Sequence, residues 1–175
     1  MEKMNHNCYA SRVEKFATEE SPFHFTASGL SNVYLVGIKY WVCECGEVVA
    51  EIPAAKQLMR LIAQDVVKSP FDLAGDEIKF LRKRLGKKAS EFCQYLGVEP
   101  ETLSRVENSK QAPSIQIQKL ARLAYCVFSE DPQLAECARS IFASIIAEIE
   151  KGRKKDKIVL AMDAKQECWR ELKAA

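Results

Sequence analysis

The chain has 175 residues and 26 Lys+Arg against 24 Asp+Glu, for a net charge of +2 and a pI near 8.1. That length can bury a proper core in one large or two small domains, and so mild a charge excludes a histone-like polycation. No stretch is apolar enough to span a membrane and residues 1–15 lack the apolar run of a signal peptide, so a cytoplasmic protein is expected, its seven cysteines reduced rather than paired.

Three regions follow in chain order. The first, residues 1–68, opens with a polar lead and turns strand-like: Phe23–Ala27 alternates apolar and polar, and Asn32–Gly37 follows a turn. Ile38–Val42 continues extended, and Val48–Ile52 forms a further short strand after Cys45 and Gly46. Pro53 then opens a helix whose apolar stripe is Leu58, Leu61, Ile62 and Val66. The segment Lys68–Phe71, with a proline, reads as the boundary.

The second region, 69–130, is helical. Gly75–Leu85 carries Ile78, Leu81 and Leu85 on one face, and Lys79, Arg82, Lys83, Arg84, Lys87 and Lys88 crowd the stretch that follows its start. Residues 89–108 then read as a helix-turn-helix. Cys93 is small where the first helix is approached, Gly97 can take the positive φ that lets the chain turn, and Pro100 fits the first turn of the second helix. Val98, Leu103 and Val106 close the second helix onto the first. Glu101, Thr102, Ser104, Arg105 and Asn108 remain outward, a polar face suited to a major groove. Downstream, Ser114 caps a helix with Ile117, Leu120, Leu123, Ala124 and Val127 at helical spacing. The bland alternatives are a glycine-linked helix pair that never meets DNA and a basic helix face that is only solvated.

On the DNA-binding reading, Glu101, Thr102 and Arg105 are the base-reading residues. Lys79, Arg82, Lys83, Lys87, Lys88, Ser104, Asn108 and Lys110 are the phosphate-binding ones. Arg105 lies one turn after Glu101, and its fork matches guanine O6 and N7. Cys93, Cys126 and Cys137 fall on apolar faces, and their default role is small buried hydrophobe.

In the third region, 131–175, Leu134, Ala138, Ile141, Phe142, Ile145 and Ile149 form a continuous apolar stripe, expected to hold a homodimer together. Lys151–Lys157 is a basic linker. Residues 158–172 pair as a hairpin or run as one helix; Ile158, Val159, Leu160, Cys168 and Trp169 favour the hairpin. The fold class is therefore α+β: a small N-terminal β-sheet/helix domain, an all-α helix-turn-helix domain, and a C-terminal helix with a short tail.

An ordered set of motifs carries a family resemblance: SGLSNVYL at 28–35, CECGE at 43–47, IP at 52–53, EIKFLRK at 77–83 and LGVEPETLSRVEN at 96–108. Over residues 22–125 the chain resembles the MqsA/YgiT-type antitoxins, which join an N-terminal zinc-binding domain to a C-terminal helix-turn-helix of Cro/C1 type. The resemblance places the base-contacting positions of the recognition helix on Glu101 and Arg105, with Thr102 beside them. It implies a dimeric repressor of palindromic operator DNA, often its own promoter, frequently paired with a toxin protein. Two departures stand out. The family commonly has two Cys-x-x-Cys knuckles, whereas here there are only Cys43-x-Cys45 and His6-x-Cys8, and Ala89 stands where a phosphate-touching Gln is usual. His6, Cys8, Cys43 and Cys45 would be the ligands of any zinc, but the spacing makes a degenerate, zinc-finger-like domain without cofactor the expectation.

Catalysis is not expected. A nucleophile at Cys8, Cys43 or Cys45 would need a base, and only His6 and His24 are at hand, without any other catalytic signature. Two functional readings stand: a toxin-paired autorepressor, or a stand-alone regulator whose N-terminal domain binds a ligand or partner.

Overall fold

The structure is a computed structural model; it describes residues 12–129, 131–134, 138, 158–163 and 168–171. Its elements are β1 (Arg12–Phe16), β2 (Phe23–His24), β3 (Val33–Val36), β4 (Lys39–Cys43), β5 (Val48–Ala50), α1 (Ala55–Lys68), α2 (Gly75–Arg84), α3 (Ala89–Leu96), α4 (Pro100–Glu107), α5 (Ile115–Phe128), β6 (Ile158–Asp163) and β7 (Cys168–Glu171). The fold is α+β, as expected. Two compact units divide the chain, a sheet unit (1–25, 33–57 and 157–175) and a helical unit (26–32 and 58–156).

The sheet unit holds two sheets. In the first, β4 lies between β1 and β5, both antiparallel to it. β4 and β5 are joined by a tight turn in which Gly46 adopts φ 88° and donates its N–H to the Cys43 carbonyl at 2.8 Å. β1 belongs to the stretch read as a polar lead. Every residue of it is exposed, so it has no buried face to betray it by alternation. The extended segment expected over Phe23–Ala27 is shorter, because the backbone coils into a 3-10 turn at Thr26–Ser28.

The second sheet has the order β2-β3-β6-β7, with β3 and β6 parallel: Val33 lies opposite Ile158 and Val36 opposite Ala161. β6 and β7 form the antiparallel hairpin favoured over a single helix. Its packing against the rest of the unit is close. A Cβ on Gly37, where φ is 76°, would lie 2.9 Å from the Met162 carbonyl oxygen. Trp169 is 4% exposed, and its indole N–H donates to the Pro53 carbonyl at 2.8 Å. Val33, Leu35, Val36, Ile38 and Leu160 complete the core. The tail strands thus belong with the N-terminal strands, and α1 from Leu58 onward belongs with the helices, so compactness divides the chain elsewhere than at residue 68.

In the helical unit, Leu58, Ile62, Val66, Ile78, Leu81, Phe92, Leu96, Leu103, Val106 and Ala121 are buried together. The inward stripe of α5 differs from the expected one. Ile117 and Ala124 are buried as expected, but Gln118, Ala121, Arg122, Tyr125 and Cys126 are buried with them, while Leu120 and Leu123 are half-buried and Val127 is 66% exposed. Arg122 is 1% exposed and hydrogen-bonds through Nη2 to the carbonyls of Ser69 and Phe71 at 3.1 and 2.6 Å. Burial lowers its pKa, against the pull of Glu77 and Asp72. Gln118 accepts the Leu73 N–H at 2.9 Å and donates to the Pro113 carbonyl at 3.1 Å. The segment after Lys68 is therefore pinned by polar side chains.

At the far end of α5, Asp131 accepts from Arg60 Nε and Nη2, both at 2.8 Å, and from Gln64 at 2.8 Å. Leu134 is buried; the rest of the apolar stripe expected at 138–149 lies outside the described residues, apart from half-buried Ala138. Cys93 and Cys126 are buried as expected, and Cys137 is outside the described residues.

Candidate nucleic-acid interface

Each helix end at the site has a local cause. α2 starts where the Ala74 N–H donates to the Glu77 carboxylate at 2.7 Å, and Asp76 and Glu77 sit at its positive end. The Lys88 N–H donates to the Glu91 carboxylate at 2.9 Å in the same way, opening α3. α3 stops at Gly97, which adopts φ 63° and ψ 37° and returns its N–H to the Cys93 carbonyl. Pro100 occupies the first turn of α4. At the other end the Asn108 side-chain N–H donates to the Ser104 carbonyl at 2.8 Å, Ser109 takes φ 56°, and the Lys110 N–H reaches the Arg105 carbonyl at 2.8 Å. Leu103 and Val106 point inward and close α4 onto the domain.

The outward face of α4 carries Glu101, Ser104 and Arg105, all exposed, with Thr102 half-buried and Asn108 exposed at the cap. Among the described residues no carboxylate lies within ion-pair distance of Arg105, neither Glu101 nor Glu107. No side chain among the described residues holds the guanidinium, and Glu101, likewise exposed, lies one turn earlier. Such a pair offers a forked donor and an acceptor to one groove.

The basic residues divide into two groups. Lys83, Lys88 and Lys110 are exposed and Lys79 half-buried. Lys87 is half-buried, its ammonium 5.8 Å from the centre of the Tyr95 ring. Burial raises the pKa of the Tyr125 phenol against the pull of the nearby Arg84 guanidinium. Arg82, expected at phosphates, turns inward instead. Its Nε and Nη2 donate to the two carboxylate oxygens of Glu107 at 2.6 and 2.7 Å, and Nη1 donates to the Lys87 carbonyl at 3.0 Å. The side chain is 13% exposed, that of Glu107 7%. The Glu107 hydrogen bond is the main reason that the Arg82 pKa rises. Next to this pair burial raises the Cys93 thiol, with Glu107 adding to it.

Sequence reading missed this pair, although a signal was present. Arg82 follows Ile78 by four residues and Glu107 follows Leu103 by four, so opposite charges occupy the core-facing stripes of both helices. Gly75 was missed as well; a Cβ there would overlap the Val106 carbonyl oxygen.

A family model described as helix-turn-helix, of Cro/C1 type, matches residues 78–123. These residues are a helix-turn-helix domain. The match runs from α2 into α5 and leaves the sheet unit outside it. No curated protein and no solved structure matches the chain. The helix-turn-helix domain makes the protein a DNA-binding transcription regulator. No described helix is long and apolar enough to cross a membrane.

Away from this domain, Cys43 is buried at the end of β4 and Cys45 is exposed in the turn that follows. Among the described residues no group of three or more His, Cys, Asp or Glu side chains is placed to hold a metal. His6 and Cys8, the other two candidate ligands, lie outside the described residues.

Proposed function

We propose that the protein is a sequence-specific repressor that binds a palindromic operator as a homodimer, with α4 in the major groove. The observation that carries this reading is the exposed Arg105, without an ion-pair partner among the described residues, one turn from Glu101 on the outward face of a helix-turn-helix domain. In this arrangement Arg105 reads guanine, Glu101 accepts from a cytosine amino group, and the Thr102 methyl packs on thymine. Lys79, Lys83, Lys87, Lys88 and Lys110, with Ser104 and Asn108 beside the groove, hold phosphates, and Arg82 is withdrawn from that set. The apolar stripe of residues 134–149 supports self-association, since two-fold operators call for two-fold proteins.

The family resemblance supports the narrower role of an antitoxin that represses its own operon in the cytoplasm. A short toxin reading frame next to this one and co-purification of its product would support that role; its absence would favour a stand-alone regulator.

The DNA reading is tested on duplexes selected from a random pool by the purified protein. Arg105→Ala should abolish about 1–3 kcal/mol of preference for the selected duplex over a scrambled one, leaving weak, salt-sensitive binding. Lys83→Ala should weaken both duplexes alike and reduce the salt slope by about one. An Arg105→Ala protein that loses affinity for both duplexes by the same factor would make Arg105 a phosphate contact.

A further inference from the structure

Gly75 and Arg82 lie seven residues apart on α2, two turns along one helix face. Both meet the last turn of α4. At Gly75 the backbone of α2 comes so close to the Val106 carbonyl that no side chain fits. Two turns later Arg82 grips the neighbouring Glu107 with two parallel hydrogen bonds and also reaches the Lys87 carbonyl, in the turn that leads into α3. One guanidinium therefore joins α2, the entry to α3 and the end of α4. Bidentate pairs of this kind fix angle as well as distance, which a lysine ammonium cannot do.

We infer that Gly75 and Arg82 are positioning residues for DNA readout: they set the angle at which α4 presents Glu101 and Arg105, and so govern operator discrimination without touching the duplex. The inference rests on the DNA reading above. It follows from the different tolerances of the two kinds of contact. A forked guanidinium on a guanine edge needs the helix held to within a fraction of an ångström, while lysines on phosphates adapt to a shifted helix. Loosening the α2–α4 joint should therefore cost discrimination first and general affinity least.

Two substitutions separate positioning from the direct phosphate contact that the sequence suggests for Arg82. Arg82→Lys keeps the charge and loses the fork. Glu107→Gln keeps the shape and frees the guanidinium. Binding of the full chain to the selected and scrambled duplexes is titrated at several salt concentrations, with circular dichroism and thermal melts on the same samples. Positioning predicts that both variants lower the ratio of selected to scrambled affinity about tenfold, with the salt slope unchanged. Gly75→Ala, which pushes on the same joint from its other end, should lower the ratio in the same way.

A phosphate contact predicts the opposite pattern. Arg82→Lys would then bind nearly as the parent does, and Glu107→Gln would bind every duplex more tightly with a steeper salt slope. That result overturns the inference, as would variants that are folded and keep the parent ratio. Loss of the folded helices in both Arg82→Lys and Glu107→Gln would also overturn it, making the pair a support of the fold alone. If the unsubstituted protein selects no duplex from the pool, the DNA reading fails before the positioning question arises.

Discussion

In the helical unit, helices from one stretch of the chain form one core, with α2 packed on α4 and α5, and α3 on α4 and α5. That core admits polar side chains: Arg122, Gln118, Glu77 and Glu107 are all buried, and hydrogen bonds occupy each of them. The sheet unit does the reverse. Its core is apolar, Val33, Leu35, Ile38, Leu160 and Trp169, but it is assembled from strands at opposite ends of the chain. Damage should therefore differ in kind. Removing a side chain from the helical unit strands polar atoms, whereas removing one from the sheet unit leaves a hole and unties distant strands.

The largest effect is expected at Trp169. Trp169→Ala removes the biggest side chain of the sheet core and leaves the Pro53 carbonyl without its donor; it should cost about 3–5 kcal/mol. Amide hydrogen exchange should show the loss in β3 and β6 while α2–α5 stay protected. Equal loss of protection in the helices would mean one cooperative block and would break the comparison.

Arg122→Ala is expected to come next, at about 2–3 kcal/mol, because hydrogen bonds from a charged donor are withdrawn from two carbonyls. Thermal melting measures the cost, and faster exchange at Phe71 and Leu73 would place it in the segment that Arg122 pins. A melting temperature unchanged from the parent would show that the polar contacts add nothing.

The smallest effect is a pH dependence. Burial pushes the Asp131 carboxyl up, but Arg60, Gln64 and the Gln133 N–H outweigh it and leave its pKa below the ordinary 3.8. A carboxylate depressed in the folded state stabilises above its ordinary pKa, and that stability is lost as pH falls through the folded value. Asp131→Asn should thus melt below the parent at pH 7, with the gap closing as the pH drops below about 4. A gap that is constant with pH would assign the effect to shape rather than charge.

The helices were legible because apolar spacing, Gly97 and Pro100 act locally. Ile78, Leu81, Leu103 and Val106 all face the core as their spacing demands. The inward charges were not. A rule that sends Arg to solvent puts Arg82 on phosphates and leaves Val127 for the core; instead Glu107 and the Lys87 carbonyl draw Arg82 inward, two carbonyls hold the Nη2 of buried Arg122, and Val127 is exposed. Among the strands, β3, β4, β5 and the β6–β7 hairpin follow from β-branched and aromatic residues. The parallel register of β3 on β6 left no local trace, because a crossover of such length encodes no turn chemistry. At the site, the exposure of Glu101, Ser104, Arg105 and Asn108 on α4 was legible, while the half-burial of Thr102 and the joint that holds the helix were not.

The pairing of β3 with β6 also imposes an order of events during synthesis. A ribosome delivers the chain from its N-terminus at about 5–20 residues per second, so α2–α5 can meet as soon as they emerge. β3, made much earlier, must wait for residues 158–161 before its open edge is covered. For that interval Val33, Leu35 and Val36 are an unpaired apolar edge, the kind of surface that chaperones cover and that aggregates start from.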